Sequence, residues 1–413
     1  MSKSKEKAIY VYEEWSSPTP VLMGTLFVEY LRGEETYSFS YEPNWLKNSK
    51  GISLDPNLFP YEGRQYIPEG RRQFGIFLDS SPDRWGRTLL KRKESLLASK
   101  KDRKAKSLSE TDFLLGVEDE TRMGALRFKL DPSGPFLACS SSPVPPLVRL
   151  RELEDASYRY EEEDGSDEKW INMLLSPGSS LGGARPKANV KDPEGNLWIA
   201  KFPSRHDEHD AGAWEYVVHE LAKMCGINVP EAKLVKFSSR GSTFLSKRFD
   251  RIQDKRIHFA SAMTLLGKED GESGETSYFD LLSFIMESSS RPKEDAKELF
   301  KRLVFNIAVK NTDDHLRNHG FILGKKGWRL SPCFDVNPNP EGTHLSLNVS
   351  ESVNSLDVEL ALETASCYGL MKDEAKEIEE SVRRIVKENY ASLASKAGVS
   401  ESSIKVMSKA FEG

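Results

Sequence analysis

Hydrophobic and polar positions tend to alternate near the start of the chain and shift to three-and-four spacing towards its end. Ile9 to Glu13, Pro20 to Tyr30 and Glu35 to Tyr41 carry β-branched and aromatic residues in partial alternation, which predicts three strands. Ser81-Pro82-Asp83-Arg84-Trp85 predicts a helix start, with Ser81 as N-cap, proline at the first helical position and an acid in the first turn. That helix is expected to run to about Lys93. Lys100 to Ser109 reads as an exposed charged loop, and Arg127 to Leu130 as a short strand. Asp131 to Pro146, rich in Pro, Gly and Ser, is the best candidate boundary.

Beyond it the pattern becomes mixed. Lys187 to Val190 and Leu197 to Phe202 flank Asp192-Pro193-Glu194-Gly195-Asn196, which has hairpin turn chemistry. Asp210 to Met224 has helical period, with Cys225-Gly226 as its stop. Ala232 to Phe237 and Thr243 to Lys247 predict a second hairpin. From about Ser261 onward helices dominate: Tyr278 to Met286, Lys293 to Lys310, Val358 to Tyr368, Asp373 to Ala394 and Glu401 to Phe411. The expected class is α+β in three parts: 1–146, an N-terminal α/β region; 147–255, an α+β nucleotide-binding part; and 256–413, a helical domain.

Composition narrows the class. Of 413 residues, 38% are hydrophobic and 30% charged, as in a soluble globular protein. Apolar runs such as Leu303-Val304-Phe305 are too short to span a bilayer, and no apolar core follows the basic start. A cytoplasmic protein without membrane contact is expected. The net charge of −5 gives no global field towards nucleic acid. Four scattered cysteines lack zinc spacing, and His206-Asp207-Glu208-His209 lacks a nearby third ligand.

The chemistry concentrates after the Lys293 to Lys310 helix. Asp313 and Asn318 stand five apart in Asn311-Thr312-Asp313-Asp314-His315-Leu316-Arg317-Asn318, and Asp335 follows in Phe334-Asp335-Val336. A phosphotransferase needs a carboxylate to accept the hydroxyl proton, and an amide and a second carboxylate as hard oxygen ligands for Mg²⁺. Lys201, inside an apolar strand, suits the α- and β-phosphates, and Glu215 on the next helix is placed to pair with it. Ser179-Ser180-Leu181-Gly182-Gly183-Ala184-Arg185-Pro186-Lys187 offers two glycines for backbone approach to phosphate, with added charge from Arg185 and Lys187. Arg248-Phe249-Asp250-Arg251 ends a strand, where Asp250 is suited to accept from a ribose hydroxyl. His315 sits inside the catalytic loop on the nucleotide side and is read as a brace rather than a base.

In order along the chain, these pieces resemble the HipA family of serine/threonine kinases, toxins of type II toxin–antitoxin pairs. Phe74-Gly75-Ile76-Phe77-Leu78-Asp79-Ser80-Ser81-Pro82-Asp83-Arg84-Trp85-Gly86 and Gly124-Ala125-Leu126-Arg127-Phe128 are similar to the family's N-terminal marks. The Ser180 to Lys187 loop, Lys201-Phe202-Pro203, Glu215, Arg248 to Arg251, Asn311 to Asn318 and Phe334 to Val336 follow in family order. The resemblance implies a HipA-like, protein-kinase-like α+β fold with a mostly α-helical C-terminal domain. It implies ATP and Mg²⁺ as cofactors, Asp313 as base, Asn318 and Asp335 as metal ligands, Lys201 on phosphate and Asp250 on ribose. Ser180 matches the family's autophosphorylated serine, with Ser179 as its neighbouring alternative. A HipB-like helix-turn-helix antitoxin is the implied partner, with DNA reached mainly through it. The implied substrate is an aminoacyl-tRNA synthetase such as the glutamyl enzyme. Asp314, beside Asp313, puts a second carboxylate near the base position. Two alternatives share the layout: a small-molecule phosphotransferase and a nucleotide-binding scaffold that represses with an antitoxin.

Overall fold

A computed structural model describes residues 6–31, 33–49, 51–137, 144–162, 168–175, 183–253, 255–269, 271 and 275–412. The chain forms two compact units. The first comprises residues 1–199 with 250–260, and the second 200–249 with 261–413. The cuts fall at neither 146 nor 255, because long-range polar contacts hold the later segments in the first unit. Lys187 pairs with Asp83, Lys191 with Glu120, and Asp250 accepts from the Gly124 N–H.

The first unit is built on an antiparallel sheet of β1 (Lys7–Glu13), β2 (Val21–Leu31), β3 (Glu34–Tyr41), β4 (Arg64–Tyr66) and β5 (Leu126–Lys129), in the order β4-β3-β2-β1-β5. Alternation decides its buried side: Ile9 and Val11 from β1 and Leu26 and Val28 from β2 are buried. Gly24 is required there, since a Cβ would lie 2.4 Å from both the Phe39 ring and the Ser40 carbonyl.

The helix expected from Ser81 begins later and runs further, from Arg84 to Lys100. Asp83 is its N-cap, accepting from Gly86 N at 2.7 Å, while the Ser81 hydroxyl donates back to Phe77 O. Ala98 is still buried near the helix end, so the apolar side persists past Lys93. Short helices at Gly75–Asp79 and Glu110–Gly116 were not evident from periodicity. The second is set by a capping box of Ser109 and Asp112. Strands β6 (Lys187–Lys191) and β7 (Leu197–Lys201) flank the expected turn, where the Asp192 carboxylate accepts from Asn196 N and Trp198 Nε1.

The second unit carries β8 (Ala232–Ser238) and β9 (Gly241–Lys247), an antiparallel hairpin, and most of the helices. The Ala211–Met224 helix is fixed against β9 at its start. Asp210 caps it through Ala213 N and also accepts from Ser242 N and Oγ. A Cβ on Gly212 would lie 2.1 Å from Ser242 O, so glycine permits that approach. Trp214 stacks on Phe411, which stacks on Tyr390 of the Lys372–Lys396 helix. The Pro292–Ala308 helix buries Leu299, Phe300, Leu303 and Val304 and delivers the chain into the 311–319 loop. Among the described residues no helix is long and apolar enough to cross a membrane.

Candidate active site

Lys201 ends β7 and is buried. Its ammonium donates to Glu215 Oε1 at 2.5 Å and also forms an ion pair with Asp335. Burial alone would lower this lysine's pKa, but the carboxylates of Asp335 and Glu215 outweigh it and hold the pKa above the ordinary value. The lysine is therefore charged throughout the physiological range.

Asp335 sits at φ +58°, in the left-handed region. Aspartate tolerates that region better than most residues, though at a cost. Two residues later the Asn337 N–H donates to Asn311 Oδ1, joining this segment to the catalytic loop. Asn339 and Ser346 continue the join: Asn339 Nδ2 donates to Thr312 Oγ1 at 2.8 Å, and Ser346 Oγ to Thr312 O at 2.8 Å.

The adjacent carboxylates of the loop differ sharply. Asp314 is 1% exposed and accepts from Tyr278 Oη at 2.7 Å, Ser346 N at 2.7 Å and Leu347 N at 3.4 Å. Tyr278 Oη in turn accepts from Asn306, whose carbonyl accepts from Asn311. Asp314 is thus the anchor of a buried polar chain. Burial pushes its carboxyl up to about 6, against the pull of those donors. Asp313 instead has a side chain 73% exposed, open to an incoming hydroxyl. Partial desolvation raises its carboxyl from the ordinary value, with Asp335 adding and His315 opposing. Burial thus separates the two carboxylates of the Asp313-Asp314 doublet.

Asn318 Nδ2 donates to Asp313 O at 2.7 Å, which closes the loop across the five-residue interval. Its Oδ1 is buried and has no hydrogen-bond partner among the described residues. An orphaned carbonyl oxygen of this kind is costly unless something else fills its acceptor role. Hard-oxygen coordination fits it, and Mg²⁺ in phosphoryl-transfer sites takes one or two protein carboxylates or amides plus phosphate and water. Among the described residues no group of three or more His, Cys, Asp or Glu forms a metal cluster. His315 Nε2 lies 3.6 Å from Asp313 Oδ1, and the His315 carbonyl accepts from Asn318 N. The ring stands beside the Asp313 carboxylate, and the backbone braces the loop.

The remaining sequence candidates stand in several different surroundings. Ser179, Ser180 and Gly182 fall outside the described residues. Gly183, at φ +82°, and Lys187 belong to the first unit. Lys187 Nζ is 2.9 Å from Asp83 Oδ2, and the two side chains are 2% and 5% exposed. Trp85 Nε1 donates to the Lys187 carbonyl at 3.0 Å. Asp250 is wholly buried and accepts from Gly124 N and Arg251 Nη1. Those bonds anchor the carboxylate to the Gly124 turn and to Arg251. Phe249, in the second unit, packs on Phe334 with ring centroids 5.6 Å apart. The Tyr278, Asn306 and Asn311 support escaped sequence reasoning, because nothing local marks a tyrosine as partner to an acid 36 residues away.

Comparison with known proteins bears on the family and the fold. The HipA-like C-terminal domain family matches residues 179–393, just over half of the chain. A Haemophilus influenzae protein designated a kinase is 31% identical over 189 residues, covering 40% of this chain and 54% of that protein. The serine/threonine-protein kinase toxin HipA of Shewanella oneidensis is 22% identical over 252 residues, covering 54% of this chain and 58% of the toxin. The aligned stretches thus span little more than half of these relatives' own length. Among solved structures, HipA in the Shewanella oneidensis complex of HipA, HipB and operator DNA superposes with a TM-score of 0.69 at 16% identity. It covers 98% of this chain and 95% of that one, a likeness of fold. Domain match, fold and the Asp313 to Asn318 loop lead to one conclusion: the chain belongs to the HipA family of kinases.

Proposed function

We propose that the protein is an ATP- and Mg²⁺-dependent serine/threonine-protein kinase of toxin type, which phosphorylates itself at Ser179 or Ser180 and a protein substrate in trans. The observation that carries this reading is the division of labour in the 311–319 loop. There an exposed Asp313 stands beside a buried anchor and an amide oxygen left without a partner. Asp313 takes the hydroxyl proton as the serine oxygen attacks the γ-phosphorus of ATP and the γ-phosphorus–oxygen bond to the β-phosphate breaks, releasing ADP. Lys201, held charged by Glu215, meets the phosphates, and Asn318 Oδ1 and Asp335 hold the metal. Bound Mg²⁺ supplies neutralisation of charge on the transferred phosphoryl group.

Phosphate on the 179–180 serines adds about −1.5 to −2 charge to a stretch suited to meeting anions, so it switches the kinase off. The family likeness supports a HipB-like helix-turn-helix antitoxin as partner and an aminoacyl-tRNA synthetase, such as the glutamyl enzyme, as substrate.

The test is intact-mass analysis and phosphopeptide mapping after incubation with ATP and Mg²⁺, beside Asp313→Asn. Phosphate at Ser179 or Ser180 is expected in the parent, with transfer at least about 10²-fold slower in the variant. Near-normal transfer by Asp313→Asn removes Asp313 as base. Bound ATP without phosphate in either protein favours the repressor scaffold or a small-molecule phosphotransferase.

A further inference from the structure

One stretch of the first unit departs from the acidic balance of the whole. Residues 84–106 hold ten Lys or Arg against two Asp or Glu, in a chain whose net charge is −5. Arg84, Lys91, Lys93, Lys100, Lys101, Arg103, Lys104 and Lys106 are all exposed. Local charge asymmetry of this size marks an electrostatic footprint more often than drift in composition.

The stretch has a defined shape. Glu94, buried on the helix, accepts from Arg103 Nη1 at 2.6 Å and Nη2 at 3.1 Å and from Lys106 N at 2.9 Å. Arg103 and the Lys106 N–H hold the Glu94 carboxyl down to about 2, so the strut stays charged at working pH. It folds the 100–106 segment back along the Arg84–Lys100 helix. Surrounding acids take several of the cations: Glu94 takes Arg103, Glu110 takes Arg87 and Asp112 takes Lys106. Among the described residues Lys93, Lys101 and Lys104 have no ion-pair partner. Lys93 and Lys100 stand two helical turns apart on one side, a spacing of about 10 Å.

We propose that this helix and the loop pinned to it bind the phosphate backbone of double-stranded nucleic acid, directly and without sequence preference. Two absences in the stretch select this partner over its competitors. Its one aromatic residue, Trp85, is buried, so it offers no platform on which single-stranded bases stack. Its one exposed large hydrophobic is Leu97, at 38%, which is too little to anchor a helix in a lipid surface. The contact is independent of any antitoxin and of the phosphotransfer reading, since none of its residues belongs to the 311–335 site.

The experiment uses the full chain alone, free of antitoxin, with a short duplex of arbitrary sequence. Fluorescence anisotropy follows binding between about 50 and 200 mM salt, the range over which phosphate contacts lose most affinity. The variant carries Lys93→Glu, Lys100→Glu, Lys101→Glu and Lys104→Glu. A second variant carries Arg at the same four positions. The expected result is salt-sensitive binding by the parent and the Arg variant. The Glu variant should bind at least about 10²-fold more weakly, with a log–log salt slope shallower by about 3 to 4. Circular dichroism and thermal melting check that both variants fold. If the Glu variant misfolds, loss of the parent's binding to the duplex in the presence of heparin decides the matter instead. The proposal is overturned if the parent shows no salt-dependent binding, if the folded Glu variant binds like the parent, or if vesicles containing phosphatidylserine bind the parent and the duplex does not.

Discussion

Lys187 and Lys201 open and close one hairpin, and both look like phosphate ligands in sequence, yet their surroundings differ in kind. Lys201 sits between two carboxylates drawn from a helix and a loop, Glu215 and Asp335. Exchanging Asp335 for a phosphate leaves Glu215 to keep the lysine in place. Lys187 pairs with Asp83, which also caps the Arg84–Lys100 helix, and its own carbonyl is held by Trp85. A group fixed on every side is part of the frame, whereas a group held by interchangeable partners is equipped to act. The same contrast separates Asp313 from Asp314 within one loop.

The comparison breaks or sharpens on several variants. The largest effect is expected from Lys201→Met, whose turnover per folded molecule should fall by about 10²- to 10³-fold, as when a preorganised electrostatic group is removed. Lys187→Met should change that turnover by less than about tenfold, and equal losses in the two would abolish the distinction. Stability should show the reverse order. Stranding Asp83 by Lys187→Met should cost about 3–5 kcal/mol in denaturant unfolding. Adding Asp83→Leu should restore most of it, less about 1 kcal/mol for the lost helix cap.

A smaller effect comes from Asp314. Its folded value of about 6 lies above the range of an unfolded aspartate, near 4. As pH falls through 6 towards 4, the folded protein therefore takes up the proton first, and stability rises. Above pH 6 the buried charge is a net cost. Asp314→Asn should lack this gain, about 2–3 kcal/mol between pH 7 and 4, as measured by the difference between parent and variant melts. Smallest in its effect on the fold is Asp335→Asn. It should weaken the Mg²⁺ dependence of ATP binding while leaving a single cooperative unfolding transition. An unchanged Mg²⁺ dependence would remove Asp335 as a ligand.

Much of the architecture was legible because it is local. The three N-terminal strands, both hairpins and the long helices follow from period and turn residues to within a few positions. The Lys201–Glu215 pair was legible as well, since a strand lysine and an acid on the following helix are close in sequence. Other features depend on partners far along the chain. Lys187 reads as a phosphate ligand until Asp83, 104 residues earlier, is found against it. Asp250 reads as a ribose contact, and nothing local shows that the Gly124 N–H, 126 residues earlier, donates to its carboxylate. Hydrophobic period reports which face is buried, but it carries no information on which distant charge will share the interior. The late helix start at Asp83 has a different origin, because Ser81 and Asp83 are both good caps and the short helix before them claims the serine.

The left-handed backbone at Asp335 bears on how such a chain can change over generations. Asparagine is the residue that shares aspartate's ease in that conformation, and a single base substitution converts one codon into the other. At most buried polar positions, by contrast, a substitution that removes the charge also endangers the fold. If Asp335 holds the metal as proposed, a lineage has a short mutational route from an active enzyme to an intact, silent copy, and an equally short route back.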